Sequence, residues 1–363
     1  MNYYKRRKKV FVITLISLIV INVLLVLSLF FSSSIEKSIN SSYFELNANI
    51  VKSKTQIHFV DVGQGDSTIF ILPDGKKAII DTGHSYSKER VLKYLEAIGL
   101  NKGSSIDYLI LTHTDSDHTG NAVSIINNYD IKNIYMPKVY SRFEVENNLI
   151  VNDYNINYTD LWYQTCKAIN KEVNNENKIY SQKDLIIENS LYNYSFTFYA
   201  PFEDKFSNSN NYSPIIIFRS NGFKFMFVGD IDSSIESDFI NYYQPIKSSL
   251  DVDVLKVAHH GSKNSSSEEF LNFVKPEKAV ISCGKDNTYF HPSNEVINRL
   301  TNNNCEVLRT DTTSSVVCGI YNQKIFFQTS YDKLDSFYFC WWYMVVCSLV
   351  LSVVLIFCFK IKG

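Results

Sequence analysis

A short polar segment directly after an apolar run carries residue types that bind metal ions. Its four candidate ligands, within six positions, are His113, Asp115, Asp117 and His118. Imidazole nitrogen and carboxylate oxygen both suit zinc and manganese, and a strand end holds such groups rigidly at a sheet edge. A solvated acidic loop would explain two aspartates, but not two histidines at this spacing in a chain that has only seven. The segment therefore predicts a metal site.

Three later segments place an acid or a histidine where an apolar stretch ends. Asp230 follows one such stretch, His259 and His260 follow another, and His291 lies beside the start of a helix. Taken alone, an aspartate after glycine is most often a turn residue, and a lone histidine next to proline is most often structural. Their order after the 113–118 segment favours a second set of ligands for the same site.

Hydrophobic patterning predicts the elements that must position these residues. The predicted strands cover 56–62, 67–72, 78–81, 108–112, 131–136, 194–199, 214–218, 223–228, 252–258, 278–283, 305–309, 314–320 and 323–328. The predicted helices cover 87–99, 121–129, 158–173, 233–241, 265–274 and 293–301. The weakly patterned stretch 140–192 is interpreted as an insertion that shapes the substrate cleft. Two strand-rich halves with helices between their strands predict an α/β fold, a four-layer αβ/βα sandwich.

Two long apolar stretches near the chain ends favour a membrane anchor. Residues 10–31 and 336–359 are uncharged, and 22 residues at ~1.5 Å each cross a ~30 Å hydrocarbon core. Basic residues lie outside both stretches, in 1–9 and 360–363, which places both termini in the cytoplasm. A cleaved signal peptide is the alternative for the first stretch, but its apolar part exceeds the usual length. We therefore predict a two-pass protein of the cell membrane, whose domain at 44–335 is extracytoplasmic.

The charge of the segment between those stretches bears on the substrate. Seven of the 36 lysines and arginines lie in the terminal segments, which leaves 29 against 37 acidic residues, a net charge of −8. Nucleic-acid-binding proteins normally carry the opposite sign. Bulk charge thus argues for a small or neutral-headed substrate. The seven cysteines contain no CxxC pair, so neither a zinc ribbon nor a dense disulfide framework is indicated.

Five ordered motifs make the chain resemble the metallo-β-lactamase-fold hydrolases. The resemblance is strongest to the extracytoplasmic domain of ComEC-type competence proteins, and it spans roughly residues 55–330. The motifs are Asp61-Val62-Gly63-Gln64-Gly65-Asp66-Ser67, Asp81-Thr82-Gly83, the stretch from Thr112 to Asn121, Gly229-Asp230, and Leu255-Lys256-Val257-Ala258-His259-His260-Gly261-Ser262. The multispan channel of those competence proteins has no counterpart in this sequence.

The resemblance implies a binuclear metal site. His113 and Asp115 match ligands of the first metal, Asp117 and His118 match ligands of the second, and Asp230 matches the bridging carboxylate. His259 or His260 matches the last ligand. The family's central histidine has no counterpart, because no histidine occurs between His118 and His259. The first site is therefore expected to be looser, to use Asn211, or to be filled only with substrate, and its oxygen-rich ligands leave manganese as an alternative to zinc.

The expected reaction is hydrolysis of a phosphodiester by a water that two cations activate. Asp117 is expected to orient that water, and the proton for the leaving group comes from whichever of His259, His260 and His291 is not a ligand. The segment Gly63, Gln64, Gly65 and Asp66 could offer backbone N–H groups to a phosphate or serve only as a tight turn.

The leading hypothesis is an outward-facing, membrane-anchored phosphodiesterase. Its substrate would be a cell-envelope phosphodiester, such as a teichoic acid or its phosphorylcholine decoration. The alternatives are a ComEC-like nuclease that degrades DNA during uptake, a carboxyester or lactone hydrolase, and a non-catalytic module that binds metal or a partner. The lipid bilayer is an expected partner, and no obligate protein partner is inferred.

Overall fold

Two β-sheets that face each other form the centre of the fold. The computed structural model describes residues 46–149 and 156–329, which lie within one compact unit, Leu46–Ser330. In chain order the strands are β1 (Thr55–Phe59), β2 (Thr68–Ile71), β3 (Lys77–Ile80), β4 (Ser105–Ile106), β5 (Tyr108–Ile110), β6 (Asp130–Ile131), β7 (Ile134–Met136), β8 (Tyr140–Ser141), β9 (Ile156–Asn157), β10 (Lys178–Tyr180), β11 (Ile186–Asn189), β12 (Tyr194–Phe198), β13 (Ile216–Ser220), β14 (Phe223–Phe227), β15 (Val254–Lys256), β16 (Lys278–Ile281), β17 (Glu306–Arg309), β18 (Val316–Tyr321) and β19 (Lys324–Gln328).

Helices connect many of these strands. They are α1 (Ala48–Val51), α2 (Lys88–Ala97), α3 (Ser116–Thr119), α4 (Ala122–Asn128), α5 (Arg142–Glu146), α6 (Asp160–Glu172), α7 (Ser233–Tyr243), α8 (Glu268–Val274), α9 (Asn294–Asn302) and α10 (Thr310–Thr313). The predicted insertion at 140–192 is more ordered than its weak patterning suggested. It contains α5 and α6, and its β10 pairs in parallel with β7 to form one edge of the first sheet.

Each large sheet is half parallel and half antiparallel. The first has the order β10-β7-β5-β3-β2-β1-β18-β19, and the second has the order β11-β12-β13-β14-β15-β16-β17. In the first sheet, β3, β5, β7 and β10 are parallel, and in the second, β14 to β17 are parallel. The carboxyl ends of parallel strands meet at one edge of a sheet, where connecting loops can assemble a site.

Alternating side chains divide the core into layers. Phe59 and Phe70 of the first sheet contact Phe227 and Phe218 of the second, with ring centroids 6.0 and 5.2 Å apart. Between Ile57 and Phe59, His58 points to the opposite face and lies 3.0 Å from the Tyr94 hydroxyl of α2. The outer face of the second sheet packs on α7, α8 and α9. The prediction of an αβ/βα sandwich is therefore confirmed.

The prediction of two flanking transmembrane helices needs correction. Among the residues that the structure describes, no helix combines the length and the apolar character needed to cross a bilayer. The stretches assigned to spans, 10–31 and 336–359, lie outside the described residues, as do the basic ends at 1–9 and 360–363.

Candidate metal centre

Loops at the ends of five strands bring the candidate ligands together. Asp66 precedes β2, Asp81 follows β3, and the 113–118 segment follows β5 in the first sheet. Asp230 follows β14, and the His259–His260 pair follows β15 in the second sheet. The two sheets thus contribute to one site at the seam between them.

Four buried side chains form what we call the central cluster: Asp66, His118, Asp230 and His260. One ligand atom from each lies within 4.8 Å of those from the others. His118 Nε2 lies 3.3 Å from both Asp230 Oδ1 and His260 Nε2. His260 Nε2 in turn lies 3.3 Å from Asp230 Oδ2 and 3.2 Å from Asp117 Oδ2. The Nε2 atoms of His118 and His260 and the carboxylates of Asp230 and Asp117 therefore converge on one point.

Asp81 fixes the orientation of His118. Its Oδ2 accepts hydrogen bonds from His118 Nδ1 at 2.8 Å and from the Thr112 hydroxyl at 2.7 Å, and its Oδ1 accepts one from the Thr112 backbone at 2.8 Å. With its proton on Nδ1, the ring presents the lone pair of Nε2 to the central cluster. Histidine ligands of metals are generally oriented in this way by an outer hydrogen-bond acceptor.

The backbone carbonyl of Ser282 orients His260 in the same manner, accepting a hydrogen bond from Nδ1 at 2.9 Å. Both His259 and His260 have left-handed backbone conformations, with φ of 47° and 53°. Such conformations are uncommon for residues other than glycine and are found at functional sites. Gly261 allows the close return of the chain, because a Cβ there would lie 2.5 Å from Pro292 Cβ. The sharp turn aims His260 into the cluster.

The charges of the central cluster support one another. Burial opposes protonation of His118 and His260, but the Asp230 carboxylate, with Asp81 for His118 and Asp66 for His260, raises the pKa of both imidazoles well above the ordinary value. Burial likewise favours a neutral Asp230, yet His260 and His118 hold its pKa well below the ordinary value. The site therefore favours positive charge, which bound protons supply in the absence of a cation.

The central cluster fits a divalent cation. Four ligands at ~2.0–2.1 Å from a tetrahedral cation lie ~3.3–3.4 Å from one another, which matches the 3.2–3.3 Å separations observed among His118 Nε2, His260 Nε2 and oxygens of Asp230 and Asp117. Asp230 Oδ1, which faces His118 Nε2, is buried without a hydrogen bond. Buried polar atoms normally have partners, so this oxygen indicates a ligand.

The residues assigned to the first metal are arranged more loosely. His113 Nε2 is buried without a hydrogen bond, and its nearest carboxylate atom in an ion pair is Asp115 Oδ2 at 3.9 Å. His259 Nε2 lies 3.8 Å from Asp230 Oδ2. The side chains of Asp115 and His259 are 43% and 31% exposed, whereas the central cluster is buried. These separations are longer than those in the central cluster, and Asp230 lies between the two sets of ligands.

The segment Gly63–Asp66 has a different arrangement from the predicted phosphate cradle. The Gly63 N–H donates to Asp61 Oδ1, and the Asp66 N–H donates to the Asp117 carbonyl at 3.1 Å. Gly65 adopts a φ of +135°, and a Cβ there would lie 2.3 Å from the Asp117 carbonyl oxygen. The segment therefore fixes the ligand loop and carries Asp66 into the central cluster, while two of its N–H groups are already used.

Three further predictions change with the structure. Asn211 does not serve the first site, because its carboxamide exchanges two hydrogen bonds with Asp232, at 3.1 and 3.3 Å. His260 is not available as a proton donor to a leaving group, because its Nδ1 is bound to Ser282 and its Nε2 faces the cluster. His291 lies at the rim with its ring centroid 5.5 Å from that of His259. Burial, His259 and His260 lower its pKa to about 4, so it is neutral at pH 7.

Sequence reasoning assigned no role to Asp81, Ser213 or Lys256, and assigned Asp66 to substrate. Ser213 Oγ lies 3.2 Å from His113 Nδ1, and Lys256 Nζ lies 2.8 Å from Asp66 Oδ2. The signal for both aspartates was present, since each lies in one of the five motifs, next to an apolar stretch. Their side-chain directions depend on contacts with distant loops, which the motifs do not specify.

Comparisons with known proteins agree with this geometry. Residues 60–146 match the model of the Metallo-beta-lactamase superfamily. ComE operon protein 3 of Bacillus subtilis is 29% identical over 283 residues, which are 73% of this chain and 33% of that protein. Recombination protein 2 of Haemophilus influenzae is 26% identical over 292 residues, 79% of this chain and 32% of that protein. The chain therefore spans about a third of the length of these relatives.

Among solved structures, the metallo-beta-lactamase fold protein YhfI from Bacillus subtilis aligns with a TM-score of 0.41 and 11% identity, over 76% of this chain and 100% of that one. The family match and the relatives confirm the resemblance to ComEC-type proteins. The chain thus has the sandwich fold of metal-dependent hydrolases and a buried Asp/His cluster that suits a divalent cation.

Proposed function

We propose that the chain is a metal-dependent phosphodiesterase with two cation sites that share Asp230. The observation that carries this proposal is the position of that carboxylate. Oδ1 lies 3.3 Å from His118 Nε2, while Oδ2 lies 3.3 Å from His260 Nε2 and 3.8 Å from His259 Nε2. His118, His260 and Asp117 would hold the inner cation, and His113, Asp115 and His259 the outer one. When bound, a pair of divalent ions lowers the pKa of coordinated water and offsets charge on a phosphoryl group.

The protein side chains supply orientation around that chemistry. Asp117 is 25% exposed, and its Oδ2 faces His260 Nε2. Burial opposes its ionisation, but His260 and His118 hold the pKa of Asp117 below the ordinary value, so it accepts hydrogen bonds at neutral pH. It is therefore placed to orient an attacking water from the open side of the site. His291, neutral at pH 7, can donate only a single N–H to a leaving oxygen.

Hydrolysis assays on the full chain test the proposal. The protein is treated with chelator, reloaded with Zn²⁺ or Mn²⁺, and assayed on bis-p-nitrophenyl phosphate and p-nitrophenyl phosphorylcholine. Turnover is expected with a divalent ion and is expected to fall at least ~100-fold in Asp117→Asn. Asp184→Asn is a control, since that carboxylate is 72% exposed and pairs with Lys183. Metal binding without turnover would exclude an enzyme, and turnover of carboxyesters or lactones alone would exclude the phosphodiesterase class.

A nuclease is the second candidate, and an aromatic rim favours it. Tyr86, Tyr289 and Phe290 are 62%, 66% and 86% exposed, and Tyr289 stacks on His291 at 5.9 Å. Tyr86 donates its hydroxyl proton to the Gln64 carbonyl, beside the turn that contacts the ligand loop. Exposed rings of this kind can stack on the bases of a single strand. The names of the relatives, a recombination protein and competence proteins, point the same way, whereas the charge of −8 favours an envelope phosphodiester.

Substitution of the rim separates these substrates. For a single-stranded DNA substrate, Phe290→Ala is expected to raise KM roughly fivefold or more, because loss of stacking weakens binding by ~1–3 kcal/mol per base. Its turnover of bis-p-nitrophenyl phosphate is expected to stay unchanged, because the ring is 86% exposed whereas the ligands of the central cluster are buried. Cleavage of DNA that depends on Asp117 would establish the nuclease, and absence of DNA cleavage in an active preparation would favour envelope substrates. An extracytoplasmic location remains a prediction from the sequence.

A further inference from the structure

One buried cation next to the central cluster has no role in the proposed function. Lys256 ends β15 and is 2% exposed, so it cannot reach a substrate. Its Nζ lies 2.8 Å from Asp66 Oδ2 and donates to the Val257 carbonyl at 3.0 Å. Lysine is rarely buried this completely without a charged partner, and a buried ion pair is costly when one member is removed. Lys256 and Asp66 are thus a matched pair, and the question is what the pair does for the site.

The carboxylate of Asp66 lies on the outer side of His260. Asp66 Oδ1 is 3.3 Å from His260 Nδ1, the nitrogen that donates to Ser282, whereas Nε2 of the same ring faces Asp117 and Asp230. Its Oδ1 has no hydrogen bond, yet Asp66 is close enough for a ligand atom to lie within 4.8 Å of those of His118, Asp230 and His260. A modest rotation would therefore carry this oxygen toward the cation position.

We propose that Lys256 is a positioning residue that keeps Asp66 out of the inner coordination shell. The inference rests on the proposed metal-dependent function. By holding Oδ2, the ammonium group compensates the buried negative charge, so the carboxylate gains little by turning toward a divalent ion. The inner cation then has two imidazoles and two carboxylates as protein ligands. Without Lys256, the divalent ion is the nearest compensating charge, and Asp66 joins as an additional oxygen ligand.

This arrangement has a consequence for metal preference. Carboxylate-rich sites with higher coordination numbers suit Mn²⁺, while compact sets of nitrogen and oxygen ligands suit Zn²⁺. Lys256 would therefore bias the inner site toward Zn²⁺ by limiting the number of oxygen ligands. Substitutions of residues beyond the ligands commonly change metal affinity by ~10–100-fold, so an effect of this kind is measurable.

The test compares four full-length proteins: wild type, Lys256→Met, Asp66→Asn and the double variant. Methionine has a similar length without the charge, and asparagine has the shape of aspartate without the charge. Each is loaded with one equivalent of Co²⁺, whose visible absorption falls progressively as the number of ligands rises from four to six. Competition titrations then give the Mn²⁺-to-Zn²⁺ affinity ratio.

In Lys256→Met, the Co²⁺ absorption is expected to fall and the Mn²⁺-to-Zn²⁺ affinity ratio to rise about tenfold. Asp66→Asn and the double variant are expected to keep the wild-type spectrum, because neither contains the carboxylate that would enter the inner shell. An unchanged spectrum and ratio in Lys256→Met would show that the lysine is only structural. A changed spectrum in Asp66→Asn would show that Asp66 is already a ligand, and either result overturns the inference.

The test still gives a decision if the Lys256→Met variant does not fold. If Lys256→Met fails to fold, the double variant lacks the uncompensated charge and is expected to fold with the wild-type spectrum. A double variant that also fails to fold, or has a changed spectrum, contradicts the inference. Wild-type protein that binds no Co²⁺ would instead contradict the proposed function, so the two failures are distinguishable.

Discussion

Replacement of Asp81 by asparagine should weaken metal binding without contact between residue 81 and the metal. Asp81 is buried and accepts three hydrogen bonds, two at Oδ2 from His118 Nδ1 and the Thr112 hydroxyl and one at Oδ1 from the Thr112 N–H. Asparagine has nearly the same volume, but one of its two terminal atoms donates. The substitution therefore isolates the direction of the hydrogen bonds from packing.

Both orientations of the new carboxamide carry a cost. If its oxygen faces the Thr112 N–H, its NH₂ group faces His118 Nδ1, and the ring must place its proton on Nε2, where it blocks the metal. If its oxygen faces His118, its NH₂ group faces the Thr112 N–H, and a buried donor loses its acceptor at a cost of ~1–3 kcal/mol. The variant adopts the orientation with the lower free-energy cost, and that cost reduces metal affinity. We therefore expect metal affinity to fall by ~10–100-fold, the range seen for outer hydrogen-bond partners of metal ligands.

The apoprotein should be affected much less. Without metal, and at a pH high enough for His118 to be neutral, the ring can carry its single proton on Nε2, so the first orientation satisfies the Thr112 N–H at little cost. We expect the free energy of unfolding of the apoprotein to change by less than ~1 kcal/mol. Competition with a chromogenic chelator measures the Zn²⁺ affinity, and urea denaturation in the presence of EDTA measures the stability of the apoprotein.

A matched control comes from Asp74, at the opposite end of β3. Its carboxylate also accepts three hydrogen bonds, from the Lys76 N–H at 3.1 Å, from Asn189 at 2.9 Å and from the Tyr194 hydroxyl at 2.9 Å. Asp74→Asn should lower stability and leave Zn²⁺ affinity unchanged. If Asp81→Asn binds Zn²⁺ within threefold of wild type, the assigned protonation of His118 is wrong and the argument fails.

Three further predictions follow from the same site. The short separations of the inner ligands predict that calorimetry shows two steps of metal binding, a tight step at the inner site and a weaker step at the outer one. The tight step should be lost in His118→Ala and retained in His113→Ala. Loss of the tight step in both variants would contradict two unequal sites. The raised pKa values of His118 and His260 mean that the apoprotein holds protons there, so metal binding should release about two protons and metal affinity should rise with pH. The stability that these protons give the apoprotein is present below the ordinary pKa and lost above the raised one. Titrations in buffers of different ionisation enthalpy measure the proton release, and a pH-independent affinity would refute the prediction. Gly65→Ala should lower the free energy of unfolding by about 3 kcal/mol, because a Cβ would lie 2.3 Å from a backbone oxygen of the ligand loop. The control Gly75→Ala, at a residue with positive φ and no atom within 4 Å of its Cβ, should lower it by about 1 kcal/mol. Thermal denaturation measures both changes, and equal losses would contradict the clash.

The sequence predicts the layers and the first ligands because both depend on local pattern. Apolar stretches at 56–62 and 223–228 alternate with turns, and the structure has β1 and β14 there. His113 lies in the loop after β5 and His118 lies in the short helix α3 that follows it, so the end of that strand largely determines where they lie. The helix predicted at 158–173, within the weakly patterned stretch, corresponds to α6, Asp160–Glu172, whose buried face carries Trp162, Cys166 and Ile169.

The rest of the site depends on contacts between distant segments. Asp66 turns inward because Gly65 packs against the 113–118 loop and because Lys256, 190 positions later in the chain, pairs with it. Asn211 was a reasonable substitute for the missing histidine by position, but Asp232 occupies both ends of its carboxamide. Such choices between partners are made in three dimensions, and one sequence does not specify them.

The position of the central cluster between the two sheets also affects the stability of the protein and its resistance to proteolysis. His118 and His260 are separated by 142 residues, yet their Nε2 atoms lie 3.3 Å apart. The cysteines in the described ranges are all free, so no disulfide fastens these two sheets together there. A shared cation closes a loop of that length, which for a covalent link of ~100 residues restricts the unfolded chain by ~5 kcal/mol. A chelator should therefore act on this fold as a reductant acts on a disulfide-bonded one, and resistance to proteolysis should follow the supply of metal.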